Sequence, residues 1–265
     1  MSGPVIIVPA RFSSTRYPGK PLVELRGADG RKKSLVRRSW EAAVAVEGIA
    51  AVYVATDDER IAEHVAGFGG NVLMTPVECR NGTERCAAAL EQLPEDPEMV
   101  VNLQGDAPLT PAWFVEELVE ALRARPDVDV ATPVLRADIG HWTALVADRR
   151  AGRVGGTTAV FDARHRALYF TKEVVPYLDP ATAAGLETLP VFHHVGVYAY
   201  RPDVLRAYGQ WPLGPLEKQE GLEQLRFLEQ GRTALCVETD AKGRTFWELN
   251  NPEDVEKIEE ALNAS

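Results

Sequence analysis

The chain has 265 residues, 45% of them apolar or aromatic, enough for one large α/β domain or two small ones around a substantial core. Its formal net charge of −10 (29 Lys and Arg against 39 Asp and Glu) argues against nonspecific nucleic-acid binding, which needs a basic face. No apolar run approaches the roughly 18 residues of a membrane span, and Met1-Ser2-Gly3-Pro4 leads into the first strand without a leader pattern, so the expectation is a soluble, cytoplasmic protein.

The predicted elements alternate through the first half. Val5–Val8 is a buried strand, and Ser34 caps a helix running through Trp40 to Val46. A strand at Ala51–Ala55 ends in Thr56-Asp57-Asp58, and a helix from Glu59 to Ala66 stops at Gly69-Gly70. A short strand over Asn71–Met74, a helix from Thr83 to Leu93, a strand over Met99–Leu103 and a helix from Pro111 through Leu122 follow. This alternation predicts an α/β fold with a mostly parallel sheet flanked by helices. The second half is less regular. Strands are expected at Val128–Val134, Gly156–Phe161, Ala167–Phe170, His194–Tyr200 and Arg232–Glu238, with one helix from Pro215 to Glu229. Asn251 and Pro252 suit the cap and first turn of a C-terminal helix. There is no repeat or clear linker, so a single domain over 1–265 is expected, with a smaller β-rich lobe for acceptor binding and dimerisation within about 135–215.

The most informative stretch follows the first strand: Val8-Pro9-Ala10-Arg11-Phe12-Ser13-Ser14-Thr15-Arg16-Tyr17-Pro18-Gly19-Lys20-Pro21-Leu22. Open α/β sheets bind ligands at the carboxyl ends of their strands. Arg11, Arg16 and Lys20, together with hydroxyls and free backbone N–H groups, suit a polyphosphate, because fixed donors replace water around anionic oxygens. The loop lacks G-x-x-x-x-G-K-[ST] and G-x-G-x-x-G, so neither a P-loop ATPase nor a dinucleotide fold is indicated. Asp106 follows a strand and Gln104-Gly105; its glycine lets backbone approach a ligand, and its carboxylate offers a hard oxygen to Mg²⁺. Asn81-Gly82-Thr83-Glu84-Arg85 reads as a helix start with exposed donors. Cys79, Cys86 and Cys236 show no zinc-ligand spacing and form no even disulfide set. His193 and His194 are adjacent in a strand, so they face opposite sides and do not readily share a metal.

The ordered pattern P-A-R-x-x-S-x-R-x-P-G-K-P-L resembles the sugar-nucleotide pyrophosphorylase fold, and most closely the cytidylyltransferases that activate 3-deoxy-manno-octulosonate (Kdo). Further matching stretches are A-T-D-D at 55–58, N-G-T-E-R at 81–85, N-L-Q-G-D at 102–106, A-L-Y-F at 167–170, H-V-G-V-Y-A-Y at 194–200, L-E-Q-L-R at 222–226 and N-P-E-D at 251–254. The resemblance implies a CTP-dependent, Mg²⁺-requiring homodimer. It implies catalytic roles for Lys20, Arg11 and Asp106, and nucleotide contacts from Pro9, Ala10, Arg11, Ser14, Arg16, Lys20 and Asn81. Thr83, Arg85 and Gln104 would read the cytosine. Asp106 and Asn250 would hold the metal. Lys172, His194, Tyr198, Glu223 and Gln224 would meet the acceptor.

The chain departs from the family pattern at several places. Q-G-D-E-P is Gln104-Gly105-Asp106-Ala107-Pro108, and the aspartate of G-V-D-T-P-E-D is Asn250. The serine-arginine after A-L-Y-F is Thr171-Lys172, the basic residue before the strand histidine is His193, and V-K-V is Thr157-Thr158-Ala159. An amide binds Mg²⁺ more weakly than a carboxylate, and lysine replaces a bidentate fork by a point charge. With the nucleotide half kept and the acceptor side changed, the expectation is CMP transfer to a more anionic acid, a phosphonate such as phosphonoformate. Kdo or a related ulosonic acid is the close alternative, and a CTP-binding protein without catalysis is another. A GT-A glycosyltransferase is disfavoured, since Asp127-Val128-Asp129 leads into a strand instead of following one.

Overall fold

The computed structural model describes residues 3–13, 17–154, 156–244 and 247–264. The strands, in chain order, are β1 (Val5–Ala10), β2 (Glu24–Arg26), β3 (Lys32–Ser34), β4 (Ala51–Thr56), β5 (Asn71–Met74), β6 (Val100–Leu103), β7 (Val130–Arg136), β8 (Thr157–Phe161), β9 (Ala167–Thr171), β10 (Phe192–His194), β11 (Val197–Tyr200) and β12 (Ala234–Glu238). The helices are α1 (Leu35–Val44), α2 (Glu59–Gly67), α3 (Gly82–Leu90), α4 (Ala112–Ala124), α5 (Ile139–Arg150), α6 (Pro180–Ala184), α7 (Pro202–Gln210), α8 (Pro215–Glu220), α9 (Leu225–Glu229) and α10 (Asp254–Ala264). They form two compact units: the first comes from 1–119, 197–210 and 241–265, the second from 120–196 and 211–240.

In the first unit the strand order is β5-β4-β1-β6-β11, parallel except for β11. Every residue of β1 is buried, as its unbroken apolar run requires of a strand covered on both faces. Helices α1, α2 and α3 pack on β1 and β4. Their starts are fixed by side chains: Ser34 accepts from the Arg37 N–H, Asp58 from Arg60 and Asn81 from Glu84. Such a cap contributes about 1 kcal/mol. Because β1, β4 and β6 run parallel, their carboxyl ends share one edge, and Arg11, Asp57 and Gln104 follow there directly. A small core of Leu25, Leu35, Leu249 and Ile258 anchors the hairpin β2–β3 and the C-terminal segment.

In the second unit β12 pairs parallel with β7, while β7, β10, β8 and β9 form antiparallel neighbours. Ala137, Trp142, Ala183, Leu189 and Val191 make a separate core there.

Several expectations need correction. The strand expected over His194–Tyr200 is two strands, β10 and β11, divided at Val195-Gly196. The helix expected from Pro215 to Glu229 is two short helices, because Gly221 takes the left-handed conformation (φ 64°) and its N–H closes α8 onto the Glu217 carbonyl at 2.7 Å. The C-terminal helix starts at Asp254. Its carboxylate accepts from the N–H groups of Asn250 and Asn251 at 3.0 and 2.7 Å, the reach-back of a side chain three residues after a cap, so the turn headed by Asn251 leads into the helix. Helix α5 gave no clear period because it buries only Trp142 and Leu145; Asp138 caps it on the His141 N–H.

Candidate active site

The carboxyl edge of the first unit's sheet encloses a pocket of about 260 Å³. Pro9, Ala10 and Arg11 line it from the end of β1, Asn81, Gly82 and Arg85 from the start of α3, and Gln104, Gly105 and Asp106 from the turn after β6. Lys20 enters from a short 3₁₀ turn, Lys20–Leu22, set by Gly19 in the left-handed conformation (φ 71°). A side chain at Gly19 would also meet the Phe12 ring at 3.2 Å. Ser14 and Arg16, two expected nucleotide contacts, lie outside the described residues.

Lys20 is not an exposed loop lysine. Its side chain is 15% exposed, its Nζ is ion-paired with Asp106 Oδ2, and it donates to the Leu249 carbonyl at 3.0 Å. The Leu249 N–H in turn donates to the Asp106 carbonyl at 2.8 Å. Lys20 thus ties together the loop after β1, the turn after β6 and the segment before α10. Asn250 is next to this junction. Its N–H is held by Asp254, and it does not line the pocket.

Gly105 lines the pocket and also admits the end of β1, since a Cβ there would sit 2.5 Å from the Pro9 carbonyl oxygen. The Ser39 hydroxyl fixes the same turn through the Gly105 carbonyl at 3.0 Å. Gly82 was missed: its Cβ would lie 3.0 Å from both amide atoms of Gln104, so a side chain at 82 would push on that pocket wall. Its signal was a glycine at a helix start already capped by Asn81. Cys79 also lines the pocket as a free thiol, and burial pushes its pKa up, which keeps it protonated.

The donor wall is ordered by its own bonds. Asn81 caps α3 through Oδ1 and donates from Nδ2 to Tyr208 Oη at 3.1 Å. The buried guanidinium of Arg85 donates to Thr75 Oγ1 at 2.6 Å and Asp57 Oδ2 at 3.1 Å. Thr83 faces away from the pocket: it is fully buried, and its hydroxyl bonds to Tyr200 Oη at 2.7 Å. It therefore supports the wall without lining it. Tyr198, on the same strand as Tyr200, is buried with its ring stacked on that of Tyr200.

The second unit holds the other acceptor candidates. Glu220, at the end of α8, accepts from Thr171 Oγ1 at 2.7 Å and from the Lys172 N–H at 3.1 Å. Lys172 Nζ lies 3.2 Å from where a Cβ on Gly221 would be, beside the turn that carries Glu223 and the buried Gln224. A buried bidentate pair, Arg226 to Glu217 at 2.6 and 2.7 Å, braces that turn from both sides. His194 is buried, bonded to Thr132 Oγ1 at 2.9 Å and edge-on to Phe170. His193 turns instead to His141, ring centroids 5.0 Å apart, as strand alternation requires.

Both imidazoles are kept neutral. Burial, with a smaller contribution from the neighbouring histidine, pushes His194 down to about 3 and His193 down to about 4. Unfolding restores the ordinary value near 6.5. Below that pH the unfolded chain binds more protons than the folded one, so this stability is complete above about 6.5 and is lost as pH falls toward 4. Urea unfolding at pH 7 and pH 5 is expected to differ by roughly 2–4 kcal/mol from these two groups. His194→Gln should shrink that difference by close to half; an unchanged difference in the variant contradicts the assignment.

A cytidylyltransferase family model matches residues 5–238. The 3-deoxy-manno-octulosonate cytidylyltransferase of Maricaulis maris is 41% identical over 258 residues, covering 97% of this chain and 96% of that protein. The mitochondrial enzyme of the same name from Arabidopsis thaliana is 36% identical, covering 97% and 82%. A solved structure of CMP:2-keto-3-deoxy-manno-octonic acid synthetase complexed with CTP superposes with a TM-score of 0.83 at 32% identity, covering 99% of each chain. No helix among the described residues is long and apolar enough to cross a membrane. A near-full-length match to relatives at 36–41% identity places the chain in the Kdo cytidylyltransferase family, as a nucleotidyltransferase of the α/β class.

Proposed function

We propose that the protein transfers CMP from CTP to Kdo with release of pyrophosphate. The observation that carries the reading is the pocket itself, which is lined both by the charged groups Arg11, Lys20 and Asp106 and by the hydrogen-bonding groups Asn81, Arg85 and Gln104. A triphosphate suits the first and a base edge the second. In this reaction an acceptor hydroxyl oxygen bonds to the α-phosphorus, the bond from that phosphorus to the β-phosphate bridging oxygen breaks, and the hydroxyl proton passes to solvent. No covalent enzyme intermediate is needed, so the protein's part is alignment and charge neutralisation. Arg11 and Lys20 would hold the phosphates, and Lys20 would offset charge gathering on the departing pyrophosphate.

Mg²⁺ belongs to the same proposal. Asp106 offers Oδ1 while Oδ2 is paired with Lys20, and the Asn250 amide is one residue beyond the Leu249 carbonyl. Among the described residues no group of three or more His, Cys, Asp or Glu could hold a metal. The Asp106 carboxylate fits a magnesium ion, which takes hard oxygens from one or two side chains and completes its shell with substrate phosphates and water. When bound, the ion would supply positive charge to the reacting phosphate.

The phosphonate reading gives way to Kdo. The curated relatives carry Kdo in their names at 36–41% identity, and two of the altered residues have packing roles inside their own units. Ala107 is buried at 1% exposure in the first unit, whereas His193 packs on His141 in the second. The proposal extends to a cytoplasmic homodimer. Pyrophosphate release from CTP and Mg²⁺ with Kdo, a nine-carbon ulosonic acid and phosphonoformate tests the acceptor. Kdo is expected to give a kcat/KM at least about 100-fold above the others, the margin that a site built around a substrate's hydrogen bonds exceeds. Faster turnover of phosphonoformate than of Kdo overturns the reading.

A further inference from the structure

We infer that Asp57 sets the base preference of the pocket, as a positioning residue that acts through Arg85; the inference rests on the reading of this pocket as a CTP site. Asp57 follows β4 at the same sheet edge as Arg11, since Thr56 is in register with Ala10. Its side chain is 9% exposed and that of Arg85 is 3% exposed, and the two are ion-paired at 3.1 Å. Thr75 holds the other terminal nitrogen of the guanidinium. Only Arg85 of these three lines the pocket.

Stability alone does not account for this pair. A buried ion pair repays its desolvation only when its remaining lone pairs are also satisfied. Here Asp57 Oδ1 is buried and, among the described residues, has no hydrogen-bond partner. The pair does have a consequence for recognition. An uncompensated arginine beside Arg11 and Lys20 would compete for the triphosphate. Paired with Asp57, Arg85 becomes a locally neutral fork of N–H donors in a fixed plane, suited to an uncharged base. Cytosine presents acceptors at O2 and N3, whereas uracil presents a donor at N3. A donor fork therefore favours cytosine and leaves an N–H facing N–H clash with uracil. Asp57 Oδ1 is itself inaccessible, so its influence passes through the orientation of Arg85.

The test is the ratio of CTP to UTP in wild type, Asp57→Asn and Asp57→Ala. Binding constants are measured by calorimetry in the presence of Mg²⁺, and kcat/KM is measured with Kdo. Wild type is expected to prefer CTP at least about 100-fold. Asp57→Asn is expected to lower that ratio tenfold or more through weaker CTP binding, with UTP changed less than about threefold. Asp57→Ala, checked for folding by circular dichroism, should behave alike. Equal losses for the two nucleotides, or no wild-type preference, overturn the inference and leave Asp57 a structural residue. If the wild type binds CTP but does not transfer CMP to Kdo, the acceptor reading fails while the binding ratio still decides the role of Asp57.

Discussion

Lys20→Ala is expected to lower kcat by about 10²- to 10³-fold, the usual consequence of deleting one preorganised charge-stabilising donor. The reason is geometric. Gly19 sets a turn that sends Lys20 inward, and its ammonium meets Asp106 and the Leu249 carbonyl inside the pocket. The variant should bind CTP less tightly as well, but the larger loss belongs to turnover, because charge on the leaving pyrophosphate grows only as the bond breaks. Stability falls too, since removal leaves a partly buried carboxylate and a carbonyl without their donor, a loss of about 1–3 kcal/mol. Stopped-flow turnover and urea unfolding of the same preparation separate the two effects. A variant with wild-type kcat and reduced stability makes Lys20 a structural tie only.

Asp106→Ala should cost more, about 10³-fold or greater in kcat/KM, because it removes the one carboxylate that lines the pocket among the described residues. Asp106→Asn keeps the shape of the turn and the Lys20 contact while removing the charge, so it separates metal binding from packing. It is expected to need at least tenfold more Mg²⁺ for half-maximal rate than wild type, while its unfolding midpoint stays close to normal. An unchanged Mg²⁺ requirement in Asp106→Asn contradicts the metal role proposed for this residue.

Much of the pocket was legible because its residues belong to loops bounded by strong elements. β1, β4, β5 and β6 are short apolar runs, and helices α1, α2 and α3 begin with Ser34, Asp58 and Asn81, whose caps the structure contains. Once parallel strands are inferred, their carboxyl edge is fixed, and Arg11, Lys20 and Asp106 fall beside it. What sequence could not supply was the direction of individual side chains. Thr83 and Arg85 are two residues apart on one helix, yet the first turns to Tyr200 and the second to the pocket. Gly105 was legible as a point of close approach, but not the end of β1 that packs against it. In the second unit the polar stretch from 215 to 229 has helical composition throughout. Only the left-handed backbone at Gly221 and the buried Arg226–Glu217 pair divide it in two. The departures at 107, 172, 193 and 250 looked like one altered surface in sequence, but Ala107 and His193 are taken up by different packing environments.

The most direct test of CMP transfer to Kdo follows the label in CTP. Incubation of the protein with α-labelled and, separately, γ-labelled CTP, Mg²⁺ and Kdo should place the α-phosphate in a Kdo adduct and the γ-phosphate in pyrophosphate, in equal amounts. Label recovered as pyrophosphate without a Kdo adduct, or an α-label that stays in CTP while the nucleotide is bound, contradicts the account.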